Sequence, residues 1–272
     1  MTAPTPPYSY VSPIPVRRAH LGDALASEWT KIRSVRSTMW TLGVMVVLML
    51  GIGLGVAAIV ATSSENTQGE SALGFGFFGV LLGSICVITL GVLTIASEYG
   101  TGMIRTTLTA CPSRARVLTA KAIVFFLLTF TVTTVTATVV AMAQVAMVDA
   151  VEPTGSEWLR ATVGAGLFVA LLGLLALAVG SIVRHSAGAI TIMIGVLLLP
   201  LVAAMFMFSE SLAKVQEALL TYAIPSQLIA LYAGRSAVGE GGPSGWDPVW
   251  ILAGVVAAAM AGAYALMNSR DV

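Results

Sequence analysis

The sequence predicts an all-α polytopic membrane protein with six transmembrane helices. Of its 272 residues, 57% are hydrophobic and only 10% are charged, whereas a soluble domain carries about 25% charged residues. The apolar residues form continuous runs of about 20, the length that crosses a hydrocarbon core of about 30 Å. The two cysteines, Cys86 in an apolar run and Cys111 in a polar loop, do not indicate a disulfide framework.

Two segments precede the spans. Residues 1–19 are rich in proline and predict a disordered cytoplasmic tail. Residues 20–37 predict an amphipathic interfacial helix, with Lys31 and Arg33 beside its apolar stripe, lying on the inner membrane surface. The stripe recurs at helical spacings of three and four: Leu21, Leu25, Trp29, Ile32, Val35 and Met39.

Glu28 is the exception in this helix, because a helical wheel places its carboxylate within the apolar stripe. One interpretation is local: the side chain reaches water or pairs with Lys31. The other is a fixed salt bridge to a basic residue of the polar loop between spans two and three, in which case reversing the charge at Glu28 impairs function.

The six spans make up a transmembrane domain over residues 38–272. We place them at residues 38–61, 72–95, 122–148, 161–183, 187–208 and 248–267. With the N-terminus in the cytoplasm, 11 of the 14 Lys and Arg residues lie inside and nine of the 13 acids lie outside. This is the distribution that the positive-inside rule expects, so both termini are predicted to be cytoplasmic.

Two loops stand out between the spans. Residues 96–121 are the densest polar segment in the middle of the chain and fall on the cytoplasmic side. Residues 209–247 predict two short extracellular helices, Glu210–Ala223 and Ser226–Ala233, broken at Pro225 and ended by Gly234. A seventh span is not favoured here, because Lys214, Glu217 and Pro225 interrupt the apolar run; whether the segment re-enters the membrane is left open.

The predicted span interiors hold no Lys, Arg, Asp, Glu or His. Ion-driven transporters use such groups near the membrane midplane, so an intrinsic ion-coupled cycle is not indicated. Span three does carry Gln144 and a run of threonines, of which Thr129, Thr133 and Thr136 share one face. Hydrogen bonding between helices is the expected role of these threonines. Small residues at packing spacings, such as Gly79 with Gly83, allow helices to approach closely, within one subunit or across a dimer.

Aromatic and methionine clusters lie near the outer ends of spans two and five. They are interpreted either as interface aromatics or as a wall that contacts a hydrophobic substrate. The residues are Phe75, Phe77, Phe78, Met205, Phe206, Met207 and Phe208.

The sequence contains neither a G-x-x-x-x-G-K-S/T phosphate loop nor an H-E-x-x-H motif. It offers no catalytic cluster and no cysteine or histidine grouping of a metal site. We therefore expect no enzyme activity and no cofactor in this chain, and energy from another subunit.

Two local sequence patterns resemble those of a known protein family. Residues 27–38, Ser-Glu-Trp-Thr-Lys-Ile-Arg-Ser-Val-Arg-Ser-Thr, lead into the first span. Ser97-Glu98-Tyr99 is followed by Gly102-Met103-Ile104-Arg105, Pro112, Arg114 and Ala120-Lys121. Together, in a six-span chain, they resemble the membrane subunit of type-2 ABC exporters, especially permeases of actinobacterial genomes, over residues 20–272.

The resemblance implies a function for each part of the chain and for a separate ATPase subunit. Loop 96–121 holds a coupling helix that contacts a separate ATP-binding-cassette ATPase, which carries ATP and Mg. Two permease subunits form the pathway, lined mainly by spans two and five, and residues 209–247 form an extracellular cap. A homodimer is favoured, and a heterodimer is left open.

Roles within the loop follow from that implication. Gly100 and Gly102 allow the turn out of span two, Met103 to Leu108 form the coupling helix, and Ser113 caps the next helix. Glu98 and Arg105 either pair with each other or bond the N-terminal helix. The residues predicted for coupling are Glu98, Tyr99, Met103, Ile104, Arg105, Leu108, Arg114 and Arg116, and those of the interfacial helix are Glu28, Trp29, Lys31 and Arg33.

The sequence thus predicts an exporter permease in the plasma membrane of an actinobacterium, moving a drug, antibiotic, peptide or lipid outward. The bilayer is a further partner, and no nucleic acid is expected. The alternative is a membrane sensor or scaffold that docks an ATPase without transporting anything.

Overall fold

The computed structural model describes residues 20–62, 71–233 and 241–269, and this part of the chain is helical without any β-strand. The predicted tail, the loop between spans one and two, Gly234 and the basic residues Arg17, Arg18 and Arg270 lie outside the described residues. The helices are α1 Leu21–Ser34, α2 Arg36–Thr62, α3 Gly76–Gly100, α4 Met103–Ala110, α5 Arg114–Met147, α6 Gly155–Leu159, α7 Ala165–Val183, α8 Ser186–Met205, α9 Ala213–Tyr222, α10 Ile224–Ala233 and α11 Asp247–Ser269. A 3-10 turn over Ala72–Phe75 leads into α3, a π-helical turn over Arg160–Gly164 joins α6 to α7, and a 3-10 turn over Glu210–Leu212 leads into α9.

Six helices among the described residues are long and apolar enough to cross a membrane, as the sequence predicts. They are Arg36–Thr62, Ala72–Gly100, Arg114–Met147, Gly155–Val183, Ser186–Met205 and Asp247–Ser269. The largest difference from the predicted bounds is α5, which begins eight residues before position 122. At about 1.5 Å per residue its 34 residues extend about 51 Å, so α5 projects beyond a hydrocarbon core of about 30 Å.

Helices α3 and α7 form the centre of the bundle. α2 packs on α3 and α5, α11 packs on α7, and α8 packs on both α3 and α7. The α3–α7 contact is made by backbone, because a Cβ at Gly91 would collide with the carbonyl of Gly173. On the α2 side, a Cβ at Gly79 would lie 2.7 Å from the carbonyl oxygen of Met49, so the predicted small-residue packing at Gly79 operates within one subunit.

The ends of the bundle differ in composition. We call the charged end the one formed by α1, α4, the start of α5 and the C-terminal ends of α3, α7 and α11. The opposite end carries α9 and α10. α10 buries Leu228, Leu231 and Tyr232 in the main core, so this predicted loop helix packs into the bundle.

The helices before the last span differ slightly from their predicted bounds. The break falls at Ala223, which has an extended ψ of 141°, and α10 starts at Ile224 instead of Ser226. Pro225 therefore lies in the first turn of α10, where a proline is tolerated because its missing N–H would have had no partner within the helix.

The polar face of α5 is buried, but the hydrogen bonds of its threonines differ from the prediction. The hydroxyls of Thr129 and Thr136 donate to carbonyls of their own helix, at Phe125 and Val132, each at 2.8 Å. The interhelical role predicted for these two threonines is therefore wrong, because a helical threonine can satisfy itself four residues back. Gln144 does bridge helices: its Nε2 donates to the carbonyl of Gly53 at 3.0 Å.

Candidate functional site

The polar loop folds into a tight turn and one short helix. Gly102 ends the turn with a φ of 73°, a left-handed conformation that glycine adopts without strain. α4 follows, and Ser113 then caps α5 by accepting a hydrogen bond from the N–H of Arg116 at 3.4 Å, as predicted. This geometry sets α4 against the ends of α3 and α5.

A closed ring of ion pairs lies beneath α4. Lys31 Nζ donates to Glu28 Oε1 at 2.8 Å and to Glu98 Oε1 at 2.9 Å. Lys121 Nζ donates to Glu28 Oε2 at 2.7 Å and to Glu98 Oε1 at 2.9 Å. We call Glu28, Lys31, Glu98 and Lys121 the charge ring; it joins α1, α3 and α5 and is formally neutral.

The ring also reaches the short helix. The Nζ of Lys31 donates to the hydroxyl of Thr107 in α4 at 3.2 Å. An ammonium group has three N–H donors, and those of Lys31 are thus taken by Glu28, Glu98 and Thr107. One lysine therefore contacts α1, α3 and α4 at once.

Both interpretations of Glu28 hold together in the structure. It pairs with Lys31 one turn away, and it also forms the salt bridge to the basic residue of the polar loop, which is Lys121. Glu98 bonds the N-terminal helix through Lys31 and does not pair with Arg105, whose side chain is exposed.

Three members of the ring are almost inaccessible to solvent: Glu28, Glu98 and Lys121 are 3%, 2% and 1% exposed. Charges in such a place persist only if paired, because an unpaired buried ion costs several kcal/mol, roughly 3–5 when its partner is removed. Glu98 Oε2 has no hydrogen-bond partner within the described part of the chain. Because separating these buried pairs is costly, the ring tolerates little rearrangement.

Lys31 is the most accessible member of the ring. Burial lowers its pKa, but the hydrogen bonds and charges of Glu28 and Glu98 outweigh burial, and its pKa is raised above the ordinary value of 10.5. The stabilisation that a raised lysine pKa provides is complete below the pKa of the unfolded chain and is lost as the pH rises through the folded value. Lys31 therefore stays charged at neutral pH, and its contribution is lost only in strongly alkaline solution.

The predicted coupling residues fall into exposed and buried groups. On α4, Met103 is 42% exposed and Arg105 is exposed, whereas Ile104 is 2% exposed and packs inward. Leu108, Arg114 and Arg116 are partly buried. A docking partner can touch Met103 and Arg105, while Glu98 and Ile104 act only through their contacts within this chain.

Other predicted residues tie helix ends together. The guanidinium of Arg114 donates to the carbonyl of Met267 at 2.8 Å, and the hydroxyls of Thr119 and Tyr264 lie 2.7 Å apart. These contacts join the start of α5 to the end of α11. The guanidinium of Arg184 lies 4.9 Å from the ring centroid of Tyr99, a cation–π contact that joins the ends of α7 and α3.

The sequence reasoning missed two residues of the site. Lys121 enters the prediction only as part of the resemblance and as one of several basic residues of the loop, and Thr107 has no predicted role. A signal for Lys121 was present, because it is a single charge between Ala120 and Ala122 at the start of a long apolar run. Thr107 had no comparable signal, because Thr106 and Thr109 on the same helix look equivalent in sequence.

The aromatic clusters lie at the opposite end, and their members differ in exposure. Phe77 is buried, Phe78 is half-exposed and their rings pack edge to face at 5.1 Å. Phe75 is partly buried. Met205, Phe206 and Phe208 are 71%, 74% and 88% exposed. A role in a substrate path remains a prediction for this set.

The six apolar spans define a multi-pass membrane protein. At its charged end, the ion pairs of the charge ring join α1, α3 and α5. A family profile described as an ABC-2 family transporter protein matches residues 24–199, which is more than half of the chain and includes the charge ring. The chain belongs to this family and is an ABC-2 type permease, the membrane part of a transporter, as distinct from its ATPase. No curated protein matched the chain.

Proposed function

We propose that the chain is the permease subunit of an ATP-binding-cassette exporter. A separate ATPase, carrying ATP and Mg, docks on α4 from the cytoplasm, and a second copy of this chain completes the pathway. The substrate is a hydrophobic or amphipathic molecule such as a drug, antibiotic, peptide or lipid. The resemblance further suggests the plasma membrane of an actinobacterium.

The orientation follows from charge. The charged end carries the exposed Arg33, Arg36 and Arg105, whereas acids predominate at the opposite end, including Glu152, Glu210 and Asp247. Positive charge is retained on the cytoplasmic side of membrane proteins. The charged end, and with it α4, faces the cytoplasm, where an ATPase is available.

The observation that carries the proposal is the contact between α4 and the charge ring. α4 presents Met103 and Arg105 outward and is linked inward through Thr107 to Lys31. Lys31 in turn contacts Glu28 of α1 and Glu98 of α3, and both carboxylates bond Lys121 of α5. A displacement of α4 is therefore passed to α1, α3 and α5 together.

The experiment is to replace Thr107 with valine, which keeps its shape and removes the hydroxyl that bonds Lys31. The control is Thr109→Val, since the Thr109 hydroxyl donates only to the carbonyl of Arg105 in its own helix at 2.9 Å. Each variant is reconstituted with the co-purifying ATPase, and transport per ATP hydrolysed is measured. Loss of about 1 kcal/mol from this hydrogen bond predicts a reduction of about fivefold for T107V and little change for T109V.

Equal transport per ATP in both variants would contradict transmission through the ring. The sensor alternative makes a different prediction: the reconstituted pair hydrolyses ATP in response to a ligand, but no ligand crosses the membrane. That result would replace the exporter proposal.

A further inference from the structure

An apolar groove separates α1 from the outer face of α5. It has a volume of about 540 Å³, and one of its walls is α1 with Trp29, which is 45% exposed. The other wall is α5, with Ile123 37% and Leu127 55% exposed. The lining is formed by Leu25, Ala26, Trp29, Ile123, Val124, Leu127, Leu128, Thr131 and Val132.

The length of the groove fits one acyl chain. Along α5 it runs from Ile123 to Val132, nine residue steps that together rise about 14 Å in a helix. One leaflet of a hydrocarbon core about 30 Å thick is about 15 Å deep. The groove starts beside α1 at the charged end, and its length along α5 is about the depth of one leaflet.

Positive charge lies one helical turn beyond the groove wall on α1. Residues four apart lie on the same face of a helix, so Leu25, Trp29 and Arg33 form one line along α1, with the first two in the groove wall. The side chains of Arg33 and Arg36 are both exposed. Glu28 of α1 does not line the groove; it is buried on the other side of the helix and held by two lysines, so it does not neutralise these arginines.

We propose that this groove is a binding site for an anionic phospholipid of the inner leaflet. One acyl chain lies between Trp29 and Leu127, and the phosphate contacts Arg33. A basic residue near a membrane surface attracts anionic lipid by about 1 kcal/mol, and the groove adds a fixed apolar contact that the general lipid surface lacks. The bound lipid fills the space between α1 and α5 and so braces α1 on the side away from α4.

The test measures lipid retention by the full chain in mild detergent, using native mass spectrometry with phosphatidylglycerol and phosphatidylcholine of matched acyl chains. Leu127→Trp fills the groove, and Val139→Trp is the control, since Val139 is 49% exposed on the same helix but outside the groove. We expect one retained phosphatidylglycerol in the unmodified chain and in V139W. Excluding about two methylene contacts predicts about tenfold weaker retention in L127W.

The head group is tested with Arg33→Gln against Arg105→Gln, an exposed arginine on α4. Phosphatidylglycerol retention should fall about fivefold in R33Q and stay unchanged in R105Q. Equal retention of phosphatidylcholine and phosphatidylglycerol would overturn the anionic site. Equal retention by L127W and V139W would overturn the groove itself, and if L127W is not recovered as a folded protein, Trp29→Ala tests the other wall with the same expected loss.

A second copy of this chain is the competing occupant. A disulfide-linked dimer formed by Leu127→Cys in the membrane would identify it and overturn the lipid site. The lipid measurement uses no ATPase, so its failure and the failure of the exporter proposal are distinguishable.

Discussion

The charged end and the opposite end of the bundle are held together by different forces. At the charged end, ion pairs and charged hydrogen bonds cross between helices: the charge ring, Arg114 to Met267, and Arg184 over Tyr99. At the opposite end, the hydrogen bonds between helices that we describe join neutral groups, such as Gln144 to Gly53 and Gln216 to Ala204. Separating buried opposite charges costs more than separating neutral groups.

This difference in interhelical contacts leads us to expect that the two ends of the permease respond differently when α4 is displaced. If α4 is displaced in the proposed transport cycle, we expect the charged end, in which α1, α3, α4, α5 and α11 are linked by these contacts, to move as one body. We expect the opposite end, where the described interhelical hydrogen bonds are neutral, to open at lower cost. We therefore expect that an ATP-driven cycle changes the spacing of helices chiefly at the end that carries α9 and α10.

The largest effect that would test this comparison is expected for Lys121→Met. The substitution keeps most of the side-chain volume but leaves Glu28 and Glu98 sharing only Lys31, with a net buried negative charge. Removing one partner of a buried ion pair costs about 3–5 kcal/mol, so the thermal unfolding midpoint of the detergent-solubilised chain should fall markedly.

Two variants control the Lys121 experiment. Arg105→Met removes an exposed positive charge from the same end and should leave the unfolding midpoint nearly unchanged. Lys121→Met combined with Glu98→Gln restores neutrality and should recover part of the loss. An unfolding midpoint for K121M equal to that of the unmodified chain would show that the ring does not hold the charged end together.

An intermediate effect is expected for Arg114→Met, which removes the hydrogen bond to the carbonyl of Met267. A hydrogen bond from a charged donor contributes about 1.5–3 kcal/mol when buried, and less at this partly exposed position. The loss should be local, so amide hydrogen exchange should accelerate in residues 260–269 while the helices of the core stay protected. Tyr264→Phe, which removes the contact with Thr119, should accelerate exchange in the same segment. If neither variant changes exchange there, α11 is not fastened to α5 through these contacts.

The smallest effect is expected at the opposite end, for Gln144→Leu. The lost hydrogen bond to Gly53 is worth about 0.5–1.5 kcal/mol, and the substitution also removes Gln144 Oε1, which is buried without a partner among the described residues. We expect a change in unfolding free energy below about 1 kcal/mol, since these terms oppose each other. Gln144 and Lys121 lie on the same helix, so a loss in Q144L as large as in K121M would remove the proposed contrast between the two ends.

The sequence by itself determined the class of fold and the position of the polar loop. Uninterrupted apolar runs can satisfy their backbone only as helices in a membrane, so six spans were predictable from composition and length. The cap at Ser113 and the left-handed turn at Gly102 were predictable for a similar reason, since both depend on neighbouring residues. The position of the Glu28 carboxylate within an apolar stripe also predicted that this group pairs with a basic residue.

Only the tertiary structure decided which partners meet. Lys121 is 93 residues from Glu28 and Thr107 is 76 residues from Lys31, and no local pattern specifies contacts at such separations. For the threonines of α5, the sequence allows two kinds of hydrogen-bond partner, because their hydroxyls can bond either their own helix or a neighbouring one. In the folded structure, Thr129 and Thr136 bond carbonyls of their own helix. The groove between α1 and α5 is likewise a product of packing, because a helical period shows which face is apolar but not what lies opposite it.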